Sequence, residues 1–275
     1  MKVLIATDGS VDSGTAMNTA VRLLRKDHLH VDVLCVSSEL VLAGGFNVLE
    51  RAQRDLRRQG IQARGLIDVG SPGDDIPQIA TDYDVVVAGA HGKSERTQPG
   101  LGPVSSKIVD QSNRTVLVGR ELLNEGPYRV LVALDGSERS FEALATLGRL
   151  LDLSALDLTL MHVVETSWTR SEDTDESEGD EYGQKLQHEL RAYAETVIDR
   201  GERLIEQWGI PTTVVIEEGD PALELTSHAE EGNYDLIVVG ATGRSDVKHA
   251  LLGSVSLNLA WNAPCSVLVV RSGSL

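Results

Sequence analysis

Short apolar runs alternate with amphipathic stretches along the whole chain. In the first half these runs occupy residues 3–6, 31–36, 85–88 and 116–118. They carry apolar residues on both faces, as strands do when helices cover both sides of a parallel sheet. Between such runs lie helical patterns, and the clearest places Leu186, Leu190, Tyr193 and Val197 at spacings of three and four. The alternation predicts βαβ units with right-handed crossovers, and hence a doubly wound parallel α/β sheet.

The pattern of the first half returns in the second. Residues 2–10, KVLIATDGS, match residues 129–137, RVLVALDGS, at an offset of 127 (129 minus 2). Residues 83–89, YDVVVAG, match residues 234–240, YDLIVVG, at an offset of 151 (234 minus 83). A register held over several blocks indicates an internal duplication. We therefore predict two copies of one α/β unit in tandem.

The boundary between the copies is predicted in the turn-forming stretch Asn124–Pro127, which gives domains at residues 1–124 and 125–275. Most of the change in offset falls inside the second copy, where residues 165–181 form a polar, acidic insertion. Such a segment has little to bury, so we predict a solvated, mobile loop.

Composition narrows the function classes. The formal charge of −17 over 275 residues repels nucleic acid and anionic membranes, and it resembles the acidity of proteins from salt-rich cytosols. No apolar stretch approaches the roughly 18 residues of a membrane span, and the start of the chain lacks a signal-peptide pattern, so a cytoplasmic protein is expected. Cys35 and Cys265 lie in apolar runs and are predicted to be reduced and buried, with no metal site.

A glycine-rich loop follows the fourth apolar run of the second copy. Gly240 and Gly243 are followed, nine intervening residues later, by Gly253 and Ser254, where a helical pattern opens. This spacing fits neither GxGxxG nor GxxxxGK[ST]. In an open parallel sheet, ligands bind beyond the carboxyl ends of the strands where the strand order reverses. Gly240 would let a ligand lie against bare backbone, and Gly243 is expected to take a positive φ.

The helix start at Gly253 suits phosphate. Its first N–H groups are unpaired and lie at the positive end of the helix dipole. The Ser254 hydroxyl adds a donor, and Arg244, Lys248 and His249 supply nearby cations. The sequence thus predicts a ligand that spans two loops, with an adenosine-sized part near Asp135 and phosphates near Gly253.

The full pattern GxxGx9GS, together with Asp135–Ser137, His162–Val163 and residues 264–270, resembles the universal stress protein family in tandem form. The resemblance implies two five-stranded, doubly wound parallel-sheet domains of the adenine nucleotide alpha hydrolase-like class. It also implies an ATP pocket, with Mg²⁺ or another divalent cation on the phosphates and no metal ligand from the protein. The predicted nucleotide-binding residues are Ala133, Leu134, Asp135, Val163, Val239, Gly240, Gly243, Arg244, Gly253, Ser254 and Val255.

The first copy keeps Gly89, Gly92 and Gly102 but has Pro103 where the second copy has Ser254. Proline is well tolerated at the first position of a helix. It supplies neither an N–H nor a hydroxyl, so two phosphate donors are missing. We expect nucleotide in the second half and a weakened or empty site in the first.

The last apolar runs, residues 115–119 and 266–270, have no evident cover in the pattern. The resemblance implies that these strands pair edge to edge, which would make the chain a pseudo-dimer and protect a strand edge from aggregation. A further dimer of two chains is compatible with this arrangement.

The expected function is that of a cytoplasmic stress-response protein in which bound ATP serves a sensing or signalling role. No residue is tied by spacing to the γ-phosphate as a base, so no catalytic residue is assigned and any ATP hydrolysis would be slow and incidental. Two alternatives remain open. One is an ATP-cleaving enzyme of a related nucleotide-binding fold that uses Asp135 or His249, and the other is a nucleotide-free interaction module.

Overall fold

The computed structural model describes residues 1–37, 42–92, 100–165, 179–243 and 252–271. Arg244, Lys248 and His249 lie outside these residues, as does most of the acidic insertion. The insertion as assigned from the sequence was too long at both ends. Glu165 is the last residue of a strand, and residues 179–181 begin a helix, because the flanking hydrogen-bonded elements continue into the polar segment.

Strands and helices alternate in both halves. The strands of the first half are β1 Lys2–Ala6, β2 His30–Ser37, β3 Ala63–Val69, β4 Val85–Gly89 and β5 Thr115–Gly119. Its helices are α1 Val11–Leu23, α2 Leu42–Arg58, α3 Pro72–Ile79 and α4 Pro103–Gln111. The strands of the second half are β6 Tyr128–Ala133, β7 Leu156–Glu165, β8 Thr212–Gly219, β9 Leu236–Gly240 and β10 Ser266–Val270. Its helices are α5 Glu138–Leu150, α6 Gly179–Ile205, α7 Pro221–Glu231 and α8 Ser254–Asn262.

The ten strands form one sheet in the order β3-β2-β1-β4-β5-β10-β9-β6-β7-β8. Within each half all neighbouring strands are parallel, which confirms the predicted pair of five-stranded, doubly wound units. The two units meet at β5 and β10, which are hydrogen-bonded antiparallel with Leu117 opposite Leu268. The strands expected to pair therefore do so within one chain and make the sheet continuous.

Two buried layers cover the sheet, one on each face. Alternate residues of β1 separate cleanly, with Val3 and Ile5 in one layer and Leu4 and Ala6 in the other. This is the period of two that a strand imposes on its side chains. Helices α1, α2, α5 and α6 close the first layer, and α3, α4, α7 and α8 close the second. Both layers run through both halves, so the halves share their hydrophobic core.

Two arginines join the halves in a reciprocal way. Arg120, just after β5, donates to the carbonyl of Ala260 at the end of α8 and to that of Cys265 just before β10, at 2.8 and 3.1 Å. Arg271, just after β10, donates to the carbonyls of Val109 and Asp110 at the end of α4, at 2.8 and 3.1 Å. Each guanidinium thus satisfies carbonyls that a helix end leaves without partners.

The connection between the halves is held by a fully buried carboxylate, that of Asp235. It accepts hydrogen bonds from the backbone N–H groups of Leu123, Asn124 and Arg129 at 2.7, 3.0 and 2.9 Å. Because a buried charge is stable only when hydrogen-bonded, these contacts tie the connecting segment to the start of β9. In the part of the chain that the structure describes, no helix combines the length and apolar character needed to cross a bilayer.

Candidate functional site

A crevice opens where the strand order of the second half reverses. β6 and β9 are parallel neighbours, with Val130 to Val132 opposite Leu236 to Val238. The chain leaves β6 toward β7 on one side and leaves β9 toward β10 on the other. The carboxyl ends of these two strands therefore border a gap that no crossover fills, as the sequence predicted.

The gap is a cavity of about 400 Å³. Ten of the eleven residues predicted for nucleotide binding line it, and the eleventh, Arg244, lies outside the described residues. The ten are Ala133, Leu134, Asp135, Val163, Val239, Gly240, Gly243, Gly253, Ser254 and Val255. Residues from both predicted parts, the adenosine side and the phosphate side, thus face a single volume.

Among the residues that the structure describes, no side chain caps the N-terminus of α8 at this cavity. Its N-cap residue is Gly253, with φ −65° and ψ 153°. By contrast, Ser137 caps α5 by accepting from the N–H of Ser140, and Asp220 caps α7. The first N–H groups of an α-helix have no partner within the helix. At α8 no N-cap side chain accepts from them, and the helix dipole there favours an anion.

The loop before α8 is anchored to β9. The N–H of Gly253 donates to the carbonyl of Ala241 at 2.8 Å. The Ser256 hydroxyl donates to the same carbonyl at 2.9 Å and is buried. These two hydrogen bonds place the start of α8 beside the carboxyl end of β9. The helix start and the strand end therefore border the same cavity.

Gly243 serves a different purpose from the one expected. The prediction of a positive φ at Gly243 was wrong, because its backbone is not in the left-handed region. A Cβ at this position would lie 2.6 Å from Oδ2 of Asp135. Glycine is needed because the loop passes close to the carboxylate, which is fixed by the N–H and hydroxyl of Ser137 at 2.9 and 2.6 Å.

The wall opposite the loop contains a buried histidine. His162 is 4% exposed, and its Nδ1 lies 2.6 Å from the carbonyl oxygen of Leu134. Its ring meets that of Tyr193 edge-on at a centroid distance of 6.1 Å. These contacts fix the backbone just before Asp135, which is a structural task.

Sequence reasoning missed several residues of the cavity. Asp220 and Pro221 line it from the start of α7, and the repeated Gly-x-Pro block at residues 70–72 and 219–221 was the available signal. Thr242 and Asn258 also line it. Arg139 on α5 donates through Nη1 to the hydroxyl of Thr242. This cation beside the glycine loop carried no motif signal, because it lies a hundred residues away in sequence.

The first half has a corresponding but smaller cavity of about 240 Å³. Gly89, Gly92, Gly102 and Pro103, the counterparts of the second-half loop, all line it. Helix α4 likewise begins without a capping side chain, and its N-cap Gly102 has φ −64° and ψ 158°. Among the described residues, no group of three or more His, Cys, Asp or Glu side chains is arranged to hold a metal ion.

Two doubly wound α/β units, each with a crevice where the strand order reverses and a glycine N-cap at the helix beside it, define a tandem protein of the doubly wound α/β class. The sequence model of the universal stress protein family matches residues 1–120 and again residues 128–271. The chain belongs to that family.

Known relatives agree with this assignment. Universal stress protein YxiE of Bacillus subtilis is 31% identical over 145 residues, which is 52% of this chain and 98% of that protein. Universal stress protein Slr1230 of Synechocystis is 23% identical over 268 residues, covering 96% of this chain and 82% of its own. The crystal structure of a universal stress protein from Archaeoglobus fulgidus superposes with a TM-score of 0.71 at 24% identity, covering 99% and 98% of the two chains. That structure shows the shared fold over both halves.

Proposed function

We propose that the crevice of the second half binds ATP, with the phosphates at the start of α8 and the adenosine along the ends of β6 and β7. The observation that carries this is the uncapped α8 terminus facing Gly243 and Asp135 across a cavity of about 400 Å³. A cavity of this size is in the usual range for a nucleotide-sized ligand, about 300–1,000 Å³.

The phosphate end captures its anion locally. The N–H groups of Ser254 and Val255 and the hydroxyl of Ser254 are donors on exposed or half-buried residues at the cavity edge. Hydrogen bonds to a charged acceptor are each worth about 1.5–3 kcal/mol. Three such donors, together with the helix dipole, offset the long-range repulsion from a chain of formal charge −17, which salt screens beyond about 8–10 Å.

The adenosine end is mostly apolar. Ala133, Met161, Val239 and Leu225 provide buried surface for a flat base, and the half-buried Val163 offers backbone groups for its polar edge. Asp135 stands between this wall and the phosphate loop, where the ribose would lie. A divalent cation would be held chiefly by the phosphates of the ligand.

The proposed role is retention of ATP as a signal, in the cytoplasm, rather than turnover. Asp135, the carboxylate at the phosphate loop, already accepts two hydrogen bonds from Ser137, which suits positioning more than proton abstraction. The alternative, an ATP-cleaving enzyme, can be tested directly by measuring phosphate release. Phosphate release well above background, abolished in His249→Ala, would favour an ATP-cleaving enzyme.

The first experiment is calorimetric titration of the full chain with ATP and Mg²⁺, expected to show one strong site per chain. Denaturing the purified protein and analysing the released nucleotide identifies any ligand carried from the cell. Two equal strong sites would contradict the asymmetry. No ATP binding, and no released nucleotide, would support the interaction-module alternative.

Gly253→Val is the decisive variant. A Cβ at Gly253 meets its nearest neighbours at 3.4–3.6 Å, which is ordinary contact, and the φ of −65° suits any residue, so the fold should survive. The branched side chain stands at the helix start and should weaken ATP binding by about 100-fold, the equivalent of about 2.7 kcal/mol. Gly14→Val, on α1 with no atom near its Cβ, is the matched control. Full affinity in Gly253→Val would place the pocket elsewhere.

A further inference from the structure

The cavity of the first half keeps the adenosine side of its counterpart. With the sequence offset of 127, Ala6 corresponds to Ala133, and the two are 8% and 9% exposed. Asp8 accepts from the N–H of Ser10 at 2.8 Å, as Asp135 accepts from that of Ser137 at 2.9 Å. Val36 and Gly89 line the cavity where Val163 and Gly240 line the other. Both cavities, that of the first half and that of the second, therefore have the wall against which a base and a ribose would lie.

The phosphate end is not duplicated. Pro103 is the first residue of α4 and lacks both the N–H and the hydroxyl that Ser254 provides at α8. The hydroxyl of Ser105, two residues further on, is buried and donates to the carbonyl of Gly89 at 2.6 Å. The described start of α4 thus offers fewer donors to an anion than the start of α8.

The charge beside the glycine loop is reversed. At the position of Arg139 the first half has Asp12, and at the position of Thr242 it has His91. These two residues also contact each other, with 3.3 Å between Nδ1 of His91 and Oδ2 of Asp12. A carboxylate therefore replaces a guanidinium at this point.

The cavity of the first half is also smaller, about 240 Å³ against about 400 Å³. Asn258 on α8 lines the larger cavity, whereas Lys107, at the corresponding position of α4, is not among the residues that line the smaller one. The ammonium of Lys107 instead lies 2.6 Å from Oδ1 of Asp74 on α3.

We propose that the first half is a second ligand site, one that takes a nucleoside without phosphates. The choice of a nucleoside rests on the proposed ATP site, whose adenosine wall it shares. The refusal of phosphates rests on the differences at Pro103 and Asp12 and on the smaller cavity. A tandem chain of this kind responds to two forms of one ligand class, the charged form in one half and the uncharged form in the other.

The test is equilibrium dialysis of radiolabelled adenosine against the full chain, with unlabelled ATP in excess to saturate the second half. One equivalent of adenosine is expected to remain bound, and Asp8→Asn should weaken it at least tenfold. Asn keeps the Oδ1 acceptor for Ser10 but replaces the second carboxylate oxygen, so the fold should persist. Ala6→Leu, which fills the same wall, is the second variant.

Asp135→Asn and Ala133→Leu are the counterpart variants in the other half. They should weaken ATP binding there and leave the one equivalent of adenosine bound at the first half. The proposal would be overturned if no adenosine bound in the presence of excess ATP. It would also be overturned if ATP displaced adenosine from the first half as readily as from the second. Failure of the proposed ATP site appears separately. In that case the wild-type chain binds no ATP, while the dependence of adenosine binding on Asp8 rather than Asp135 still decides the first-half site.

Discussion

The two crevices of the chain share a backbone and differ in chemistry. The N-cap glycines before α4 and α8 have nearly the same conformation, φ −64° and ψ 158° against φ −65° and ψ 153°. The strands that carry the crevices are fully buried in both halves. Yet the first helix residue is proline in one and serine in the other. Buried apolar strands determine the backbone of each crevice. The hydrogen-bond donors lie at the edge of a loop, where a substitution has little effect on the stability of the fold.

This separation explains how a duplicated unit can diverge. The core of the sheet is continuous across both halves, so a destabilising change in the core of either half lowers the stability of the whole chain. A change to proline at the first position of a helix has little effect on stability, because it removes an N–H that has no partner within the helix. The differences between the sites therefore collect at the helix start and at the residues that contact the glycine loop.

Ser254→Pro should have the largest effect, because it gives the second half the helix start of the first. Gly253 already has ψ 153°, which lies in the region required before proline, and Pro103 shows that the same geometry accepts the ring. Loss of one N–H and one hydroxyl to a charged ligand should lower ATP affinity by about 30- to 100-fold. Calorimetric titration measures it.

Ser254→Ala is the control for that variant, because it removes the hydroxyl and keeps the N–H. It should lose about tenfold or less. If Ser254→Pro bound ATP as tightly as the wild type, the start of α8 would not be the phosphate site, and the contrast between the two halves would carry no functional meaning.

Arg120→Met and Arg271→Met test whether the two reciprocal arginine contacts between the halves contribute equally to stability. Each variant removes the donors that hold two carbonyls of the other half, at or just beyond the end of a helix. Leaving such carbonyls unpaired should lower the free energy of unfolding by about 2 kcal/mol in each case. Urea denaturation measures both. Because Arg120 acts at the far end of α8, ATP affinity should hold. A much larger loss in one variant would show that the halves contribute unequally to stability.

Arg139→Ala asks how much the charge beside the glycine loop matters. Arg139 donates to the Thr242 hydroxyl and adds positive charge near the phosphates. Its loss should lower ATP affinity about tenfold, with the difference shrinking as salt rises. Arg149→Ala, on the same helix α5 and bonded to Thr146, is the control that leaves the loop intact. A salt-independent effect would point to loop geometry rather than charge.

Much of the fold could be predicted from the sequence, because eight of the ten strands are apolar and duplicated in register. The outer strands β3 and β8 gave no such signal. Each pairs on one side only and contains half-buried and exposed residues with no fully buried one, so its composition resembles that of a loop. The half-exposed Tyr193 had been placed in the stripe of α6, while the buried Ala194 and Ile198 were missed.

The site was predicted where motif and strand end coincide, and less well where residues meet only in space. The glycine spacing located the loop and the start of α8. It did not reveal that Gly243 is required by the nearby Asp135 carboxylate, nor that Arg139 contacts Thr242. Such contacts depend on how α5 packs beside β9, which no local pattern records.

Pro103→Ser is the smallest and most informative change, because it restores to the first half the two donors that separate it from the second. The backbone at Gly102 already matches that at Gly253, so no rearrangement is needed to present the new N–H and hydroxyl. We expect only a threefold to tenfold gain in ATP affinity at the first half, since Asp12 and the smaller cavity still oppose phosphates. Titration of the variant with its second half silenced by Gly253→Val measures the gain. A gain to the full affinity of the second half would show that proline alone sets the asymmetry. No gain would assign the asymmetry to the charge of Asp12 and the smaller cavity.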